Sequence, residues 1–326
     1  MTRTMDTLTP LKNRVLDGGE LTFDEAVSLA DTPDVNALCD AAEEITRRFT
    51  SDSRFDSCSI VNIRSGACPE DCKWCAQSRH ASTGCEVYAM LGDDETLRHA
   101  RASRDAGIGR FSLVASGRRV TGAAIDRMCS VVRRIYDEVP GLSVCASLGL
   151  IGPEELKKLH DAGVRRYHCN LEAGPSHFAT LCSTHTVDDK LATIDAARNA
   201  GLEVCSGGII GMGETRRQRV ELAWELRRAR PVSIPLNLLI PIPGTPLQDM
   251  EPLAEEEILR CLAVIRFLHP RARIRFAGGR TQISRDTQLR AMRMAVNGAI
   301  MGDMLTTVGS TVEDDKKTIR EAGYDY

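Results

Sequence analysis

Short apolar runs alternate with amphipathic segments along most of the chain. The apolar runs have the length and composition of buried strands, and the segments between them repeat apolar positions at helical spacing. The predicted strands are Cys58–Ile63, Arg110–Ala115, Ser143–Leu148, Arg166–Leu171, Glu203–Ile210, Ser233–Leu239, Arg273–Phe276 and Ala299–Met301. The helices predicted between them are Glu95–Ala106, Ala123–Glu138, Pro153–Ala162, Asp188–Ala200, Arg217–Ala229 and Ala254–Leu268.

The order of these elements predicts the fold class. Alternating strands and helices with short connections form a parallel sheet, and eight such units make a (β/α)8 TIM-type barrel, an α/β fold. A doubly wound open sheet is the alternative. Residues 1–54 are predicted to be an N-terminal helical extension, with helices over Phe23–Leu29 and Val35–Phe49, and residues 55–326 to be the barrel domain.

Composition and charge narrow the class of protein. The chain has 326 residues, of which 42% are hydrophobic, and this is enough to fill the core of one barrel. A net charge of -3 argues against a general nucleic-acid or membrane-binding surface. No run of about twenty apolar residues occurs. We therefore expect a soluble, cytoplasmic enzyme with neither a nucleic-acid nor a membrane partner.

Three cysteines lie close together after the first predicted strand, in Cys68-Pro-Glu-Asp-Cys72-Lys-Trp-Cys75. Thiolates are soft ligands that favour iron–sulfur clusters or zinc. Closed sites of either kind usually take four protein ligands, so three cysteines leave one metal position open to a small molecule. The alternative is a zinc knuckle that His80 or Cys85 completes.

The chain has twelve cysteines in all. Spread over a long chain in a reducing compartment, such thiols ligate metals or are simply buried, rather than forming disulfides. Cysteines in helical patterns are assigned to packing, and these are Cys39, Cys129 and Cys261. Cys58, Cys145 and Cys205 lie on the first, third and fifth predicted strands. If they face inward, they could hold a second cluster deeper in the barrel.

Polar residues on the fourth predicted strand share one face. Alternate side chains of a strand point the same way, which groups His168, Asn170 and Glu172 and places Cys169 on the other face. Buried polar groups need partners, and a ligand could supply them.

The glycine-rich segment Ser206–Thr215 at the end of the fifth strand permits close backbone approach to a nucleotide, or is merely a flexible turn.

Taken together, in order and spacing, several blocks resemble the biotin synthases, a family of radical S-adenosylmethionine (SAM) enzymes. The blocks are Ser65–Ser78, Cys145–Gly149, Asn170–Glu172, Cys205–Thr215, Pro235–Asn237, Pro243–Pro246 and Arg275–Arg280. The resemblance implies that two C–H bonds of dethiobiotin are broken and one sulfur atom is inserted to give biotin, with two SAM used per product. Unactivated carbon has no usable acidity, so a radical derived from SAM is required.

The resemblance also implies roles for individual residues. Cys68, Cys72 and Cys75 would be the catalytic cysteines, holding a [4Fe-4S] cluster whose open iron binds SAM. The residues implied to bind SAM or substrate are Trp74 near the adenine, Asn170 and Glu172 at the ribose and substrate, Asn237 at the substrate, and Gly207, Gly208 and Ile209 behind SAM.

The chain departs from the common family pattern at one position. The common form holds an auxiliary [2Fe-2S] cluster with three cysteines, on the second, third and fifth strands, and an arginine. The matching residues are Ser112, Cys145, Cys205 and Arg275, so the second-strand thiol is missing. Cys58 on the adjacent first strand could replace it. The implied auxiliary cluster is [2Fe-2S] or a sulfur-rich four-iron cluster, as in variant biotin synthases of some anaerobes.

The resemblance implies further partners: an electron donor such as flavodoxin or ferredoxin, and a second copy of the chain in a homodimer. Other functions stay open. One is a radical SAM enzyme of hydrogenase-maturase or methylornithine-synthase type with another substrate, and another is a non-enzymatic metal-binding protein. A paralogue that cleaves SAM without inserting sulfur is a third, because Ser112 replaces a cluster ligand.

Overall fold

The computed structural model describes residues 5–50, 53–302 and 310–326. In these ranges the strands are β1 Asp56–Arg64, β2 Arg110–Ala115, β3 Ser143–Ser147, β4 Arg166–His168, β5 Glu203–Cys205, β6 Gly208–Ile210, β7 Ser233–Leu238, β8 Arg273–Phe276 and β9 Val296–Ile300. The helices are α1 Met5–Leu16, α2 Phe23–Ala30, α3 Val35–Phe49, α4 Asp93–Asp105, α5 Ala123–Glu138, α6 Pro153–Ala162, α7 Pro175–Leu181, α8 Val187–Asn199, α9 Arg216–Ala229, α10 Glu255–Leu268, α11 Arg285–Met294 and α12 Val312–Glu321.

The strands form one closed parallel barrel. Their order is β5-β4-β3-β2-β1-β9-β8-β7-β6, and Cys205 of β5 also pairs with Ser233 of β7, which closes the circle. β5 and β6 are two parts of one predicted strand, so eight strand positions surround the core. The predicted (β/α)8 barrel is confirmed, and the open doubly wound sheet is not what the chain forms.

Several element bounds differ from the prediction for local reasons. The fourth strand ends at His168 rather than Leu171, and the chain then turns through Glu172, whose φ is 72°. The last strand begins at Val296, three residues before its predicted start, because Asn297 and Gly298 interrupt the apolar pattern. The helices that the pattern missed are α1, α7, α11 and α12.

Three helices precede the first strand and pack on the outside of the barrel. α3 lies against α10 and α11, and α2 lies against α9 and α10. Arg290 of α11 joins these layers, because its Nη1 atom lies 2.9 Å from a carboxylate oxygen of Glu43 in α3. The division of the chain into an extension and a barrel domain at residues 54 and 55 stays a prediction.

Arg266 of α10 is a fully buried guanidinium that links α10 to the strand that follows. Its Nη1 atom donates to the carbonyls of Pro270 and Ala272, each at 3.0 Å, and its Nη2 atom donates to the carbonyl of Ala295. Burial disfavours the charge and lowers the pKa of Arg266 to about 10. The side chain therefore stays charged at neutral pH and satisfies carbonyls that water does not reach.

Arg266→Met is expected to lower the free energy of unfolding by about 3 kcal/mol, because buried carbonyls lose their donors. Chemical denaturation followed by circular dichroism measures this change. Arg293→Met, at an exposed position of α11, is the control and is expected to change stability by about 0.5 kcal/mol or less. Equal losses in the two variants would contradict the role given to Arg266.

Candidate active site

A cavity of about 350 Å³ lies inside the barrel, and we call it the central cavity. Trp74, Cys75 and Gln77 of the loop after β1 line one end of it. Arg110 and Arg166, the first residues of β2 and β4, line the opposite end. The central cavity therefore runs from the carboxyl-terminal ends of the strands, where barrel enzymes bind their substrates, towards their amino-terminal ends.

The loop after β1 carries Cys68, Cys72 and Cys75, which we call the outer thiols. The loop folds back on itself: the Cys68 N–H donates to the carbonyl of Gln77 at 3.0 Å, and the Cys75 N–H donates to that of Cys72 at 3.0 Å. All three cysteines are partly exposed, and Cys75 lines the central cavity. The outer thiols are therefore held in a defined backbone and open to a ligand.

The outer thiols do not form a single-ion site among themselves. Over the described ranges, the only three His, Cys, Asp or Glu ligand atoms within 4.8 Å of one another belong to Cys72, Cys182 and His185. A zinc knuckle completed by His80 or Cys85 is therefore not supported, since one ion needs its ligands this close. Three separated thiols instead fit a multi-iron cluster with one open position.

The outer loop is fastened to the end of α7. Asp71 accepts a hydrogen bond from the Ser183 N–H at 2.9 Å and another from the Ser183 hydroxyl. These bonds hold the pKa of the Asp71 carboxyl well below its usual range. Trp74 packs edge-on against Phe178 of α7, with ring centroids 6.1 Å apart. Helix α7, which the sequence pattern missed, thus fixes the position of Trp74.

The segment after β4 carries the three polar side chains that were predicted to share one face of the fourth strand. His168, Asn170 and Glu172 all line the central cavity, while Cys169 packs in the apolar core. The Asn170 Oδ1 atom accepts from the Gly207 N–H at 3.0 Å, and its Nδ2 atom donates to Glu172 at 3.3 Å. Burial raises the pKa of the Glu172 carboxyl. Asn170, Glu172 and the Gly207 backbone thus form one hydrogen-bonded wall.

The glycine-rich segment is a packed part of the wall rather than a flexible turn. Ile209 lines the central cavity, and Gly207 and Gly208 lie against neighbouring backbone. A Cβ at Gly207 would lie 1.9 Å from the carbonyl oxygen of Pro235 in β7, and one at Gly208 would lie 2.5 Å from that of Glu172. Close approach of β5 and β6 to their neighbours therefore requires glycine here.

Gly207→Ala is expected to lower the free energy of unfolding by about 3 kcal/mol, because the added methyl group overlaps a strand backbone. Thermal and chemical denaturation of the cluster-free chain measure the loss. Gly109→Ala is the matched control, since a Cβ there would meet no atom within 4 Å. A Gly207→Ala variant as stable as the Gly109→Ala variant would show that the wall can relax at no cost.

Asn237 of β7 also lines the central cavity. Its Oδ1 atom accepts from the Gly278 N–H at 2.9 Å, and its Nδ2 atom donates to the Gly208 carbonyl at 3.2 Å. Both backbone contacts fix which way the amide faces. Asn237 can therefore present a preorganised polar group to a ligand.

Three further thiols line the central cavity, from β1, β3 and β5. We call these the inner thiols, and they are Cys58, Cys145 and Cys205. Arg275 of β8 lies with them, only 2% exposed. Its Nε atom donates to Ser233 at 2.7 Å and its Nη2 atom to Asp56 at 2.7 Å. The structure thus brings together all the residues predicted to hold an auxiliary cluster.

Charges around the inner thiols favour one thiolate. Burial raises the pKa of Cys58 to about 12. Burial also opposes ionisation of Cys205, but His168, whose Nδ1 atom lies 3.4 Å from its sulfur, and the charges of Arg275 and Arg166 lower its pKa to about 6. Cys205 is therefore the inner thiol most ready to bind a metal, since the thiolate is the ligand form.

Ser112 lines the central cavity between two inner thiols. It pairs in register with Cys145 on β3 and with Ile60 on β1, two residues beyond Cys58. Cys58 and Ser112 thus project from neighbouring strands into the same space. This placement is what Cys58 needs if it supplies the thiolate that Ser112 lacks. The sequence analysis missed Asp56, because the arginines with which it pairs, Arg110, Arg166 and Arg275, lie on other strands far along the chain.

A second cavity, of about 520 Å³, lies at the amino-terminal ends of the strands, and we call it the floor cavity. Arg110 and Arg166 line both cavities. Asp56 pairs with Arg110 at 3.0 Å and with Arg275 at 2.7 Å. This group of ion pairs separates the floor cavity from the inner thiols.

A closed parallel barrel with an open three-cysteine loop at the mouth of its cavity defines the class of radical SAM enzymes. The family model "Radical SAM superfamily" matches residues 62–224. A second model, "Biotin and Thiamin Synthesis associated domain", matches residues 235–325.

The chain belongs to the biotin synthase family. It is 51% identical to biotin synthase of Porphyromonas gingivalis, over 96% of this chain and 94% of that protein. It is 47% identical to biotin synthase of Parabacteroides distasonis, over 98% and 97%. Identity to biotin synthase 2 of Corynebacterium diphtheriae is 44%, over 99% and 97%. The predicted family, function and enzyme class are confirmed.

Two solved structures share the fold. The [FeFe]-hydrogenase maturase HydG has a TM-score of 0.84 and 17% identity, over 98% of this chain and 75% of that one. Methylornithine synthase has a TM-score of 0.79 and 16% identity, over 97% and 96%. At such identities the likeness shows the barrel alone, so neither alternative function is favoured.

Among the described helices, none has the length and apolar content needed to cross a membrane.

Proposed function

We propose that this chain converts dethiobiotin to biotin by SAM-dependent sulfur insertion. The observation that carries the proposal is one central cavity with thiols at two levels, Cys75 at its mouth and the inner thiols below. In this proposal the outer thiols hold a [4Fe-4S] cluster, and the inner thiols with Arg275 surround an auxiliary iron–sulfur cluster. Dethiobiotin lies between the two.

The clusters and SAM supply the one-electron chemistry and the sulfur, and the protein positions the reactants. When bound, these groups provide hydrogen abstraction from unactivated carbon and a source of sulfide. The barrel wall holds the reacting carbon between the two sites and keeps water out. The apolar residues Ile209, Leu238 and Ile240 line the central cavity near its mouth and support this exclusion.

The polar wall residues are assigned by where they lie. Trp74 and Glu172 line the end of the central cavity nearest the outer thiols, and we assign them to the adenine and ribose of SAM. Asn170 connects Glu172 to the Gly207 backbone, so it orients the SAM wall and reaches the substrate. Asn237 faces the cavity from β7, and we assign it to dethiobiotin.

Arg275 is assigned as the counter-charge of the auxiliary site. Burial disfavours its charge, yet Asp56 and the inner thiols raise its pKa. Its Nε and Nη2 atoms already donate to Ser233 and Asp56. A guanidinium fixed in this way neutralises thiolates and cluster sulfides without needing to ligate iron.

The auxiliary cluster is [2Fe-2S] or a sulfur-rich four-iron cluster, and its iron content distinguishes the two. The electron donor, flavodoxin or ferredoxin, stays a prediction from the family resemblance. The homodimer and the cytoplasmic location are likewise predictions.

The deciding experiment is anaerobic reconstitution of the chain with iron and sulfide, followed by incubation with dethiobiotin, SAM and a reductant. We expect biotin, about two 5′-deoxyadenosines per biotin, and more iron than one four-iron cluster requires. Mass spectrometry and metal analysis measure these quantities. Deoxyadenosine formed without biotin would overturn the assignment of dethiobiotin as substrate. Iron equal to a single cluster would overturn the auxiliary site.

A further inference from the structure

A second group of metal-binding side chains lies beside the outer thiols. Cys182 follows α7 directly, and His185 lies just before α8. The Cys182 sulfur lies 3.7 Å from the sulfur of Cys72 and 3.4 Å from Nδ1 of His185. The ligand atoms of all three residues lie within 4.8 Å of one another. The active-site assignments above give no role to Cys182 or His185.

These separations match the edges of a tetrahedral zinc site. With Zn–S bonds of about 2.3 Å and Zn–N bonds of about 2.0 Å, two sulfur ligands lie about 3.8 Å apart, and sulfur and nitrogen about 3.5 Å apart. The two measured distances, 3.7 Å between sulfurs and 3.4 Å from sulfur to nitrogen, are within about 0.1 Å of these values. Two of the three edges therefore already have the lengths of a zinc site, and the third, from Cys72 to His185, is within 4.8 Å.

Glu70 lies beside His185 and can supply the fourth ligand once its carboxylate turns towards the ion, because its oxygens do not lie within 4.8 Å of all three other ligand atoms. One of its carboxylate oxygens contacts the same Nδ1 atom of His185. That oxygen also accepts a hydrogen bond from the Thr184 hydroxyl at 2.8 Å, and Nη1 of Arg118 lies 3.3 Å away. Contacts of this kind orient a ligand before the metal binds. The set of two thiols, one imidazole and one carboxylate suits zinc.

Burial and charge also favour a metal ion here. Cys182, His185 and Glu70 are 6%, 8% and 7% exposed. Two thiolates and a carboxylate carry three negative charges, and a divalent cation leaves one. The buried ammonium of Lys190, which acts electrostatically on both Cys72 and His185, balances that charge. Arg118 beside Glu70 offsets the carboxylate of Asp71, whose Oδ1 atom lies 3.3 Å from the Cys182 sulfur. A nearly neutral site, buried at three of its four ligands, suits a bound zinc ion.

We propose that Cys72, Cys182, His185 and Glu70 bind one thiophilic divalent cation, of the zinc type, before the [4Fe-4S] cluster is assembled. The proposal rests on the proposed function in one respect, because Cys72 is assigned there as a cluster ligand. One thiolate cannot serve both sites at once. Zinc at this site therefore blocks cluster assembly, and its removal by a chelator restores it.

The test is a titration of cluster-free, reduced protein with Zn²⁺ in competition with a chromophoric chelator, under anaerobic conditions. We expect Cys182→Ser and His185→Ala to weaken zinc binding by about 100-fold or more, since each removes a ligand. A double variant, Cys68→Ser with Cys75→Ser, keeps all four proposed ligands and should bind as tightly as the wild type. Cys85→Ser controls for loss of a neighbouring thiol.

Co²⁺ provides an independent readout in the wild-type chain. Tetrahedral Co²⁺ has thiolate charge-transfer bands whose intensity scales with the number of sulfur ligands, and two thiolates are expected here. A three-thiolate spectrum would overturn the proposal by placing the ion at the outer thiols. This measurement stays decisive even where a variant fails to fold.

Two outcomes of the titration would contradict the proposed zinc site. Wild-type affinity in both the Cys182→Ser and the His185→Ala variants, with loss in the double variant, would place the ion in the three-cysteine loop. Equal affinity in every variant would show nonspecific binding and would also overturn the site. The titration uses no cluster, SAM or dethiobiotin, so its failure leaves biotin formation untouched, and absence of biotin formation leaves the titration valid.

Discussion

Cys75→Ala is expected to reduce SAM cleavage at least about 1,000-fold while leaving the barrel folded. The outer thiols supply only three ligands, so the loss of one leaves two of the four irons with a protein ligand. Cys75 also lines the central cavity, where the bound SAM must face the substrate. Its side chain lies in a loop rather than in the apolar core, which limits the cost to stability.

Iron content, the visible absorption of the reconstituted protein and deoxyadenosine formation measure the effect together. Cys85→Ala is the matched control, because Cys85 is a partly exposed thiol that does not line the central cavity and whose sulfur contacts Ser65 and Glu86. It is expected to retain both cluster and SAM cleavage. A Cys75→Ala variant with full four-iron content would contradict the ligand assignment.

Cys205→Ala is expected to separate the two halves of the reaction. SAM cleavage should persist, because the outer thiols are intact, whereas biotin formation should fall at least about 100-fold for want of a sulfur source. Cys205 is the inner thiol with a pKa near 6, beside His168, so its loss removes the inner ligand most readily present as a thiolate. Paired assays of deoxyadenosine and biotin on the same sample measure the separation.

The same assays test whether Cys58 replaces the missing second-strand thiol. Cys58→Ala should lose auxiliary iron and biotin formation, and the double variant Cys58→Ser with Ser112→Cys should regain them if the two positions are interchangeable. Cys169→Ala is the control, since Cys169 packs in the apolar core away from the inner thiols. Full auxiliary iron and full biotin formation in Cys58→Ala would contradict the assignment.

The sequence predicts the barrel well because each strand and helix is encoded locally. Alternating apolar runs and amphipathic segments identify seven strand positions near their true bounds, and they place the eighth a few residues late. What the pattern could not show is the break in the fifth strand. At that break the carbonyl of Pro235 lies where a side chain at Gly207 would be.

The site was predictable residue by residue but not as a set of contacts. The family resemblance names the outer and inner thiols, yet the contact between His168 and Cys205 arises only from the register of β4 against β5. Likewise Cys72 and Cys182 are 110 residues apart in the chain and meet only because α7 packs beside the outer loop. Pairing of this kind follows from strand register and tertiary packing, not from local pattern.

The ion pairs beneath the inner thiols set the order in which ligands enter and leave the central cavity. Because Asp56, Arg110 and Arg275 separate the central cavity from the floor cavity, ligands exchange through the mouth beside the outer thiols. The deeper ligand must then enter first and leave last. In the proposed reaction, dethiobiotin as the deeper ligand would stay in place while SAM, bound nearer the mouth, is exchanged.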